Sequence, residues 1–139
     1  MIRFEGVAVG DELPRLEKVV RREDVLAYAD ASTDHNPLHQ DDEFARSVGF
    51  PAVIAHGMFT MAHLVSCLVV WLGDPAALRR LRVQFRAPVF MGETIVAGGT
   101  VRAVDPETRR AILDVWVSVE REGATEYPIR RSEAEVTLA

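Results

Sequence analysis

Residues 52–72, AVIAHGMFTMAHLVSCLVVWL, contain no Asp, Glu, Lys or Arg. A segment of this kind has few options. About 20 apolar residues can span a bilayer. A helix that is apolar all round can instead form the buried centre of a soluble fold. His56, Thr60, His63 and Ser66 interrupt the run, and no aromatic and basic belt brackets it, so the membrane reading fits poorly. The expectation is one long buried helix over Gly57–Leu72, stopped by Gly73-Asp74-Pro75.

After this helix the pattern changes from helical to alternating. Leu81, Val83 and Phe85 alternate with Arg80, Arg82, Gln84 and Arg86, the period-2 mark of a half-buried strand, and Pro88 should bend or end it. Gly92 marks a turn. Ile95, Ala97, Gly99 and Val101 form the apolar set of a second strand. Asp105-Pro106-Glu107-Thr108 is a turn signal, and Leu113, Val115, Val117 and Val119 alternate in a third strand. Arg121-Glu122-Gly123 turns the chain into a last strand over 126–138. The elements before the long helix are shorter: a turn at Gly10–Pro14, an edge strand over 16–20 and a helix over 22–31. A loop over 32–40 and a second short helix from Asp41 to about Val48 follow, with Asp41 and Asp42 read as helix caps. No repeat or linker divides the chain. One α+β domain over 1–139 follows, its antiparallel sheet covering the long helix.

Composition sets limits on function. The 139 residues are 48% hydrophobic and 27% charged, which suits a folded soluble domain. The formal charge of −5 argues against general nucleic-acid binding, while leaving room for a local basic site. Cys67 is the single cysteine, so no intramolecular disulfide forms and a reducing compartment fits; it reads as a small buried residue. Met1–Gly6 shows no basic leader followed by an apolar run, so a cytoplasmic location is expected.

All four histidines, His35, His39, His56 and His63, lie within one stretch, and Asp34 precedes the first. Three readings are open. His35 and His39, with Asp34, Asp41 or Asp42, have the ligand types of a metal site, but Pro37 between them breaks a shared helical face and the spacing matches no standard zinc motif. The group can be turn chemistry alone, since Asp and Asn before Pro form turns readily. Or Asp34 and His39, held by a rigid Asn-Pro turn, can grip one water and move its protons, as a carboxylate and a group titrating near neutrality are able to do.

Ser32-Thr33-Asp34-His35-Asn36-Pro37-Leu38-His39 resembles the signature of the (R)-specific enoyl-CoA hydratases, also called hydratase 2 or MaoC-like proteins, with Asp41 and Ala45 at the places the pattern asks for. Ala55-His56-Gly57-Met58 resembles the start of that family's central helix. Val83–Glu93, VQFRAPVFMGE, is similar to the strand and turn that come next. The likeness spans nearly the whole chain in the right order. Within the family it is nearest to the catalytic subunit of mycobacterial (3R)-hydroxyacyl-ACP dehydratases, with which it shares Leu72-Gly73-Asp74-Pro75. Three positions depart: Thr33 stands where Gly is usual, Met91 where Pro is common, and His35 fills a variable place.

The resemblance implies the hot-dog fold, an antiparallel sheet wrapped round one long helix. It implies reversible addition of water to trans-2-enoyl thioesters of CoA or acyl carrier protein (ACP), giving (3R)-hydroxyacyl thioesters. Asp34 and His39 are then the acid–base pair, the Gly57 amide a candidate oxyanion donor, and Asn36 a loop-fixing residue within the site. His56 reads as a supporting residue. Arg80, Arg82 and Arg86 are candidate contacts for CoA phosphates or an acidic carrier protein, against the plainer reading of a solvated strand face. No metal and no organic cofactor is expected. A sheet edge left open by one hot-dog implies a homodimer or a heterodimer with another hot-dog subunit. Two other readings compete: a hot-dog acyl thioesterase, disfavoured because residues 57–72 offer no acid, and a non-catalytic partner subunit, disfavoured because both Asp34 and His39 are present.

Overall fold

The computed structural model describes all 139 residues. Three α-helices, α1 (Arg22–Ser32), α2 (Asp42–Ser47) and α3 (Gly57–Leu72), accompany five strands: β1 (Leu16–Val19), β2 (Leu78–Arg82), β3 (Thr94–Asp105), β4 (Arg110–Arg121) and β5 (Ala124–Thr137). The strands form one antiparallel sheet in the order β1-β3-β4-β5-β2. This is the α+β hot-dog arrangement that the resemblance implies.

The long helix runs over the expected residues, and Gly73 ends it in the left-handed conformation, φ 73°, that a Cβ would disfavour. Its buried side chains are Phe59, Thr60, His63, Leu64, Cys67, Leu68 and Leu72, recurring three and four residues apart, so a single stripe meets the sheet. Leu64, Leu68 and Leu72 are fully buried, each contributing about 1.5–3 kcal/mol by leaving water. From the sheet, Ile95, Ala97, Val101, Leu113, Val115, Val117, Ile129, Ala134 and Val136 complete the core. Cys67 is buried, and that burial raises its thiol's pKa.

The helix departs from expectation in one respect: it is not buried on all sides. Met58, Ala62, Ser66 and Val70 recur every fourth residue along an exposed stripe. No helix is long and apolar enough to cross a membrane.

The strand expected over residues 81–86 is also corrected. Pairing with β5 begins earlier, at Leu78, and the strand ends at Arg82. Beyond it the Gln84 N–H donates to the Ser132 hydroxyl and the Arg86 N–H to the Pro128 carbonyl, so the ladder is broken before Phe85. Phe85 keeps a single bridge to Ile129 and is half exposed, where alternation had placed it inward. The last three strands follow the sequence pattern with longer ends. Gly98 and Gly99 are both buried: a Cβ on Gly98 would come within 2.5 Å of the Trp116 ring, and one on Gly99 within 2.8 Å of the Asp114 carbonyl.

Three backbone amides seat residues 53–55, just ahead of α3, against their neighbours. The Ile54 N–H donates to the Leu38 carbonyl, the Ala55 N–H to the Val89 carbonyl, and the Val53 N–H to the Asp42 carboxylate at 3.0 Å. That Val53 amide, with Arg22 at 3.0 Å, holds the Asp42 carboxyl below its ordinary value. Asp41 caps α2 by accepting from the Glu43 and Phe44 amides, as read from the sequence, whereas Asp42 stands in the first turn and binds the Val53 amide and Arg22 instead of capping the helix.

Candidate active site

Thr33 closes α1 in the left-handed conformation, φ 61° and ψ 15°, the position where Gly would be unstrained. The chain then reverses into the loop that carries the candidate residues. The Asp34 N–H donates to the Ser32 hydroxyl and Asp34 Oδ1 accepts the Asn36 N–H, both at 3.3 Å. Asn36 Oδ1 accepts the Leu38 N–H at 3.0 Å and so caps a single 3-10 turn, Pro37–His39. Pro37 at the first position of that turn supplies a preset φ and lacks an N–H that would go unused. Asp-x-Asn-Pro-x-His is therefore a compact series of side-chain-capped turns. It leaves the Asp34 carboxylate exposed and turns His39 inward.

His39 is fixed by one bond. Its Nδ1 lies 2.7 Å from the Ile54 carbonyl oxygen. A carbonyl can only accept, so Nδ1 carries the proton and the neutral ring keeps its lone pair on Nε2. Behind it, His56 stacks on the His39 ring with centroids 3.9 Å apart and planes 26° apart. His56 Nε2–H donates to the Asp34 backbone carbonyl at 3.1 Å. Tyr28 packs against His56 in a T-shaped arrangement, ring centroids 5.0 Å apart. The remaining nitrogen, His56 Nδ1, is buried without a partner, at a cost of about 1–3 kcal/mol.

One donor atom from each of Asp34, His39 and His56 lies within 4.8 Å of the other two. This is a different trio from the one the histidine spacing suggested. His35 is exposed and faces Gln40 and Asp30 instead. The donor set suits a shared water, and its distances also suit a cation.

Gly57 opens α3 directly after His56. The first helical bonds, from the Phe59 and Thr60 amides, both end on the His56 carbonyl, and no side chain caps the helix. The Gly57 N–H makes no hydrogen bond, and no acidic residue occupies the first turn, so the positive end of a sixteen-residue helix stands open. A Cβ on Gly57 would lie 3.2 Å from the Phe85 ring. The absent side chain leaves that amide approachable. A cavity of about 320 Å³ begins here, lined by Phe50, Ile54, Gly57, Thr60, Phe85 and Arg86 among others.

The three arginines singled out from the sequence separate. Arg86 lines the cavity. Arg80 and Arg82 lie near Glu133 and help hold its carboxyl low, chiefly behind the Arg102 hydrogen bond to the same group. Sequence reasoning missed the Ile54 carbonyl, a backbone atom with no residue signature. It also missed Arg121, read only as part of a turn. Arg121 grips Glu93 through two bonds of 2.7 and 2.8 Å, also donates to Glu126 and the Pro88 carbonyl, and lies over the Phe90 ring. Burial raises the Glu93 carboxyl, but the Arg121 bonds and the Phe90 amide outweigh it and hold it below its ordinary value. This hub anchors residues 88–93, whose Val89 carbonyl receives the Ala55 amide.

Residues 6–123 match the family model described as MaoC like domain. The chain belongs to this MaoC-like family. It is 34% identical over 121 residues to the 3-hydroxybutyryl-CoA dehydratase of Methylorubrum extorquens, covering 86% of this chain and 76% of that protein. Other relatives are much longer: a peroxisomal enoyl-CoA hydratase 2 of Arabidopsis thaliana is 42% identical over 67 residues, which are 47% of this chain and 22% of that one. Among solved structures, the (R)-hydratase from A. caviae involved in PHA biosynthesis superposes with a TM-score of 0.86 at 29% identity, covering 97% of this MaoC-like chain and 99% of that one.

Proposed function

We infer that this MaoC-like chain is a hydro-lyase acting on acyl thioesters: it adds water across the C2=C3 bond of a trans-2-enoyl thioester, or removes it in reverse. The observation that carries this reading is the grouping of the Asp34 carboxylate with the His39 and His56 rings, His56 being the residue that immediately precedes the open N-terminus of α3.

The chemistry needs the carboxylate, the His39 ring and the helix N-terminus. Attack on C3 pushes charge through the conjugated system onto the thioester oxygen, forming an enolate. Asp34 and His39 share the water. One takes its proton as the oxygen bonds to C3, and a proton is delivered to C2 from the pair, so the elements of one water end on the substrate. Positioned acid–base groups contribute about 10²–10⁴ in rate. The enolate oxygen is received by the Gly57 N–H, and one such preorganised donor is worth roughly 3–4 kcal/mol. Asn36 keeps its Oδ1 on the Leu38 amide, holding Asp34 and His39 in register. The cavity beside Gly57 admits the thioester, and Arg86 at its lining meets a phosphate of the CoA or carrier-protein arm. Water adds on the face that yields the (3R)-hydroxyacyl product, a hand that agrees with the name (R)-hydratase carried by the A. caviae neighbour.

The assembly is a pair of hot-dog units, alike or unlike. The uncharged outer stripe of α3 at Met58, Ala62, Ser66 and Val70, with two open sheet edges at β1 and β2, supports an assembled state.

The test is direct. The purified chain is mixed with crotonyl-CoA and longer trans-2-enoyl-CoA substrates, and loss of the conjugated absorbance is followed. Chiral analysis of the product should give the 3R hydroxyacyl thioester. A 3S product, or hydrolysis to free CoA, contradicts the assignment.

A further inference from the structure

His56 touches both members of the proposed acid–base pair from outside the loop that carries them. Its ring lies against the His39 ring at 3.9 Å, and its Nε2–H reaches the Asp34 carbonyl at 3.1 Å. The second contact is unusual in what it replaces. Residues 33–36 make hydrogen bonds to Ser32, Asp34, Leu38, His39 and Gln40, all within their own turns, or, through the exposed His35, an approach to Asp30. The His56 bond is the only one that ties this segment to any residue beyond position 40. Residues 33–36 are otherwise exposed, and no other hydrogen bond holds them to α3.

His56 is itself rigid. It is 2% exposed, packed against His39 and Tyr28, and stands at the N-cap of α3 next to Gly57. Its Nδ1 is buried with no donor to satisfy it. A phenyl ring would fill the same space without that cost, so packing alone does not account for an imidazole here. What an imidazole adds is the single N–H aimed at Asp34.

We propose that His56 is a positioning residue that locks the Asp34 carboxylate in register with His39 and the Gly57 amide. This rests on the hydratase reading above and deepens it. The ring fixes His39 by contact, the Nε2–H fixes the Asp34 backbone, and the shared helix N-terminus fixes both relative to the oxyanion donor. Proton transfer and charge stabilisation then refer to one rigid point.

Two variants separate this role from plain packing. His56→Phe keeps the ring, the stack and the Tyr28 contact while removing the tether and the orphaned nitrogen. His56→Gln returns an N–H at the reach of Nε2. The expected result for His56→Phe is an unchanged or higher Tm, with kcat down about 10²-fold and KM within about threefold, because small misplacement of reacting groups costs that much in rate. His56→Gln should recover most of the lost kcat. An NMR measurement of backbone order parameters should show Asp34 and His35 loosened in His56→Phe while residues 60–70 stay as in wild type. Wild-type kcat in His56→Phe, equal loss in His56→Gln, or unchanged order parameters at Asp34 would each overturn the proposal. The NMR arm stands apart from turnover: an inactive wild type with a tether-dependent loop contradicts the hydratase reading, whereas an active wild type with an indifferent loop contradicts the role of His56.

Discussion

The Nδ1–H of His39 is spent on the Ile54 carbonyl, 2.7 Å away, and the Nε2 lone pair is thereby the one left for chemistry. The bond fixes tautomer and orientation, as a carboxylate partner does for a histidine in an acid–base site. A substitution can keep the orientation and delete the base. In His39→Asn the side-chain amide can still donate to Ile54 but offers no ring nitrogen. The expected outcome is a native circular dichroism spectrum and a Tm within a few degrees of wild type, with hydration slowed at least about 10²-fold. Activity near the wild-type level in that variant would remove His39 from the acid–base pair.

Thr33 carries strain that a glycine would not. A β-branched residue at φ 61° costs roughly 1–2 kcal/mol. Part of this is offset in Thr33→Gly by the larger entropy of the unfolded chain, about 0.4–1 kcal/mol. The net expectation is a rise in stability of about 0–1.5 kcal/mol, read by urea denaturation, with activity retained. Thr33→Val keeps the β-branched side chain at the same φ and should show none of that gain.

His63 gives stability a pH dependence. Burial lowers its pKa from the ordinary 6.5, a fall that the Leu16 carbonyl 2.8 Å away only partly opposes and that nearby Lys18 reinforces. The folded state thus takes up a proton less readily than the unfolded one, and stability falls as pH drops below about 6.5. His63→Gln keeps a donor for Leu16 and cannot charge. Thermal melts between pH 7 and pH 5 should show a shallower loss of Tm in the variant than in wild type. Parallel curves would exclude His63 as a source of the slope.

Arg121 should be the most sensitive charged residue outside the site. Its fork holds Glu93 while its remaining N–H groups hold Glu126 and the Pro88 carbonyl. Arg121→Ala leaves a mostly buried Glu93 without its partner and should cost about 2–3 kcal/mol by chemical denaturation. Arg121→Lys restores a charge and not the fork, so it should recover only part of that loss.

Most of this architecture is legible from residue order. Gly57 and Gly73 bound the long helix because a charge-free segment needs a core and a glycine ends it. The strands after it alternate because one face packs on that helix. The Asp34–His39 motif is legible for a similar reason: Asx and proline turns are local, so the loop's shape follows from its own side chains. What sequence does not carry is contact across distance. Phe85 alternates like a strand residue, yet Ser132, far along the chain, takes the Gln84 amide and ends the ladder before it. The tether from His56 to Asp34 and the Ile54 carbonyl under His39 use backbone atoms, which every residue has and no pattern marks. The Arg121–Glu93 fork joins two turns that read as ordinary punctuation.

The proposed reaction makes Asp34 and His39 the pair that hydrates an enoyl thioester. The measurement that tests it most directly is a steady-state comparison of wild type, Asp34→Asn and His39→Ala on the same trans-2-enoyl-CoA, with circular dichroism on each sample. The account predicts that both variants fold as wild type does and lose hydration by at least about 10²-fold, with KM changed far less than kcat. Full turnover in either folded variant would contradict it.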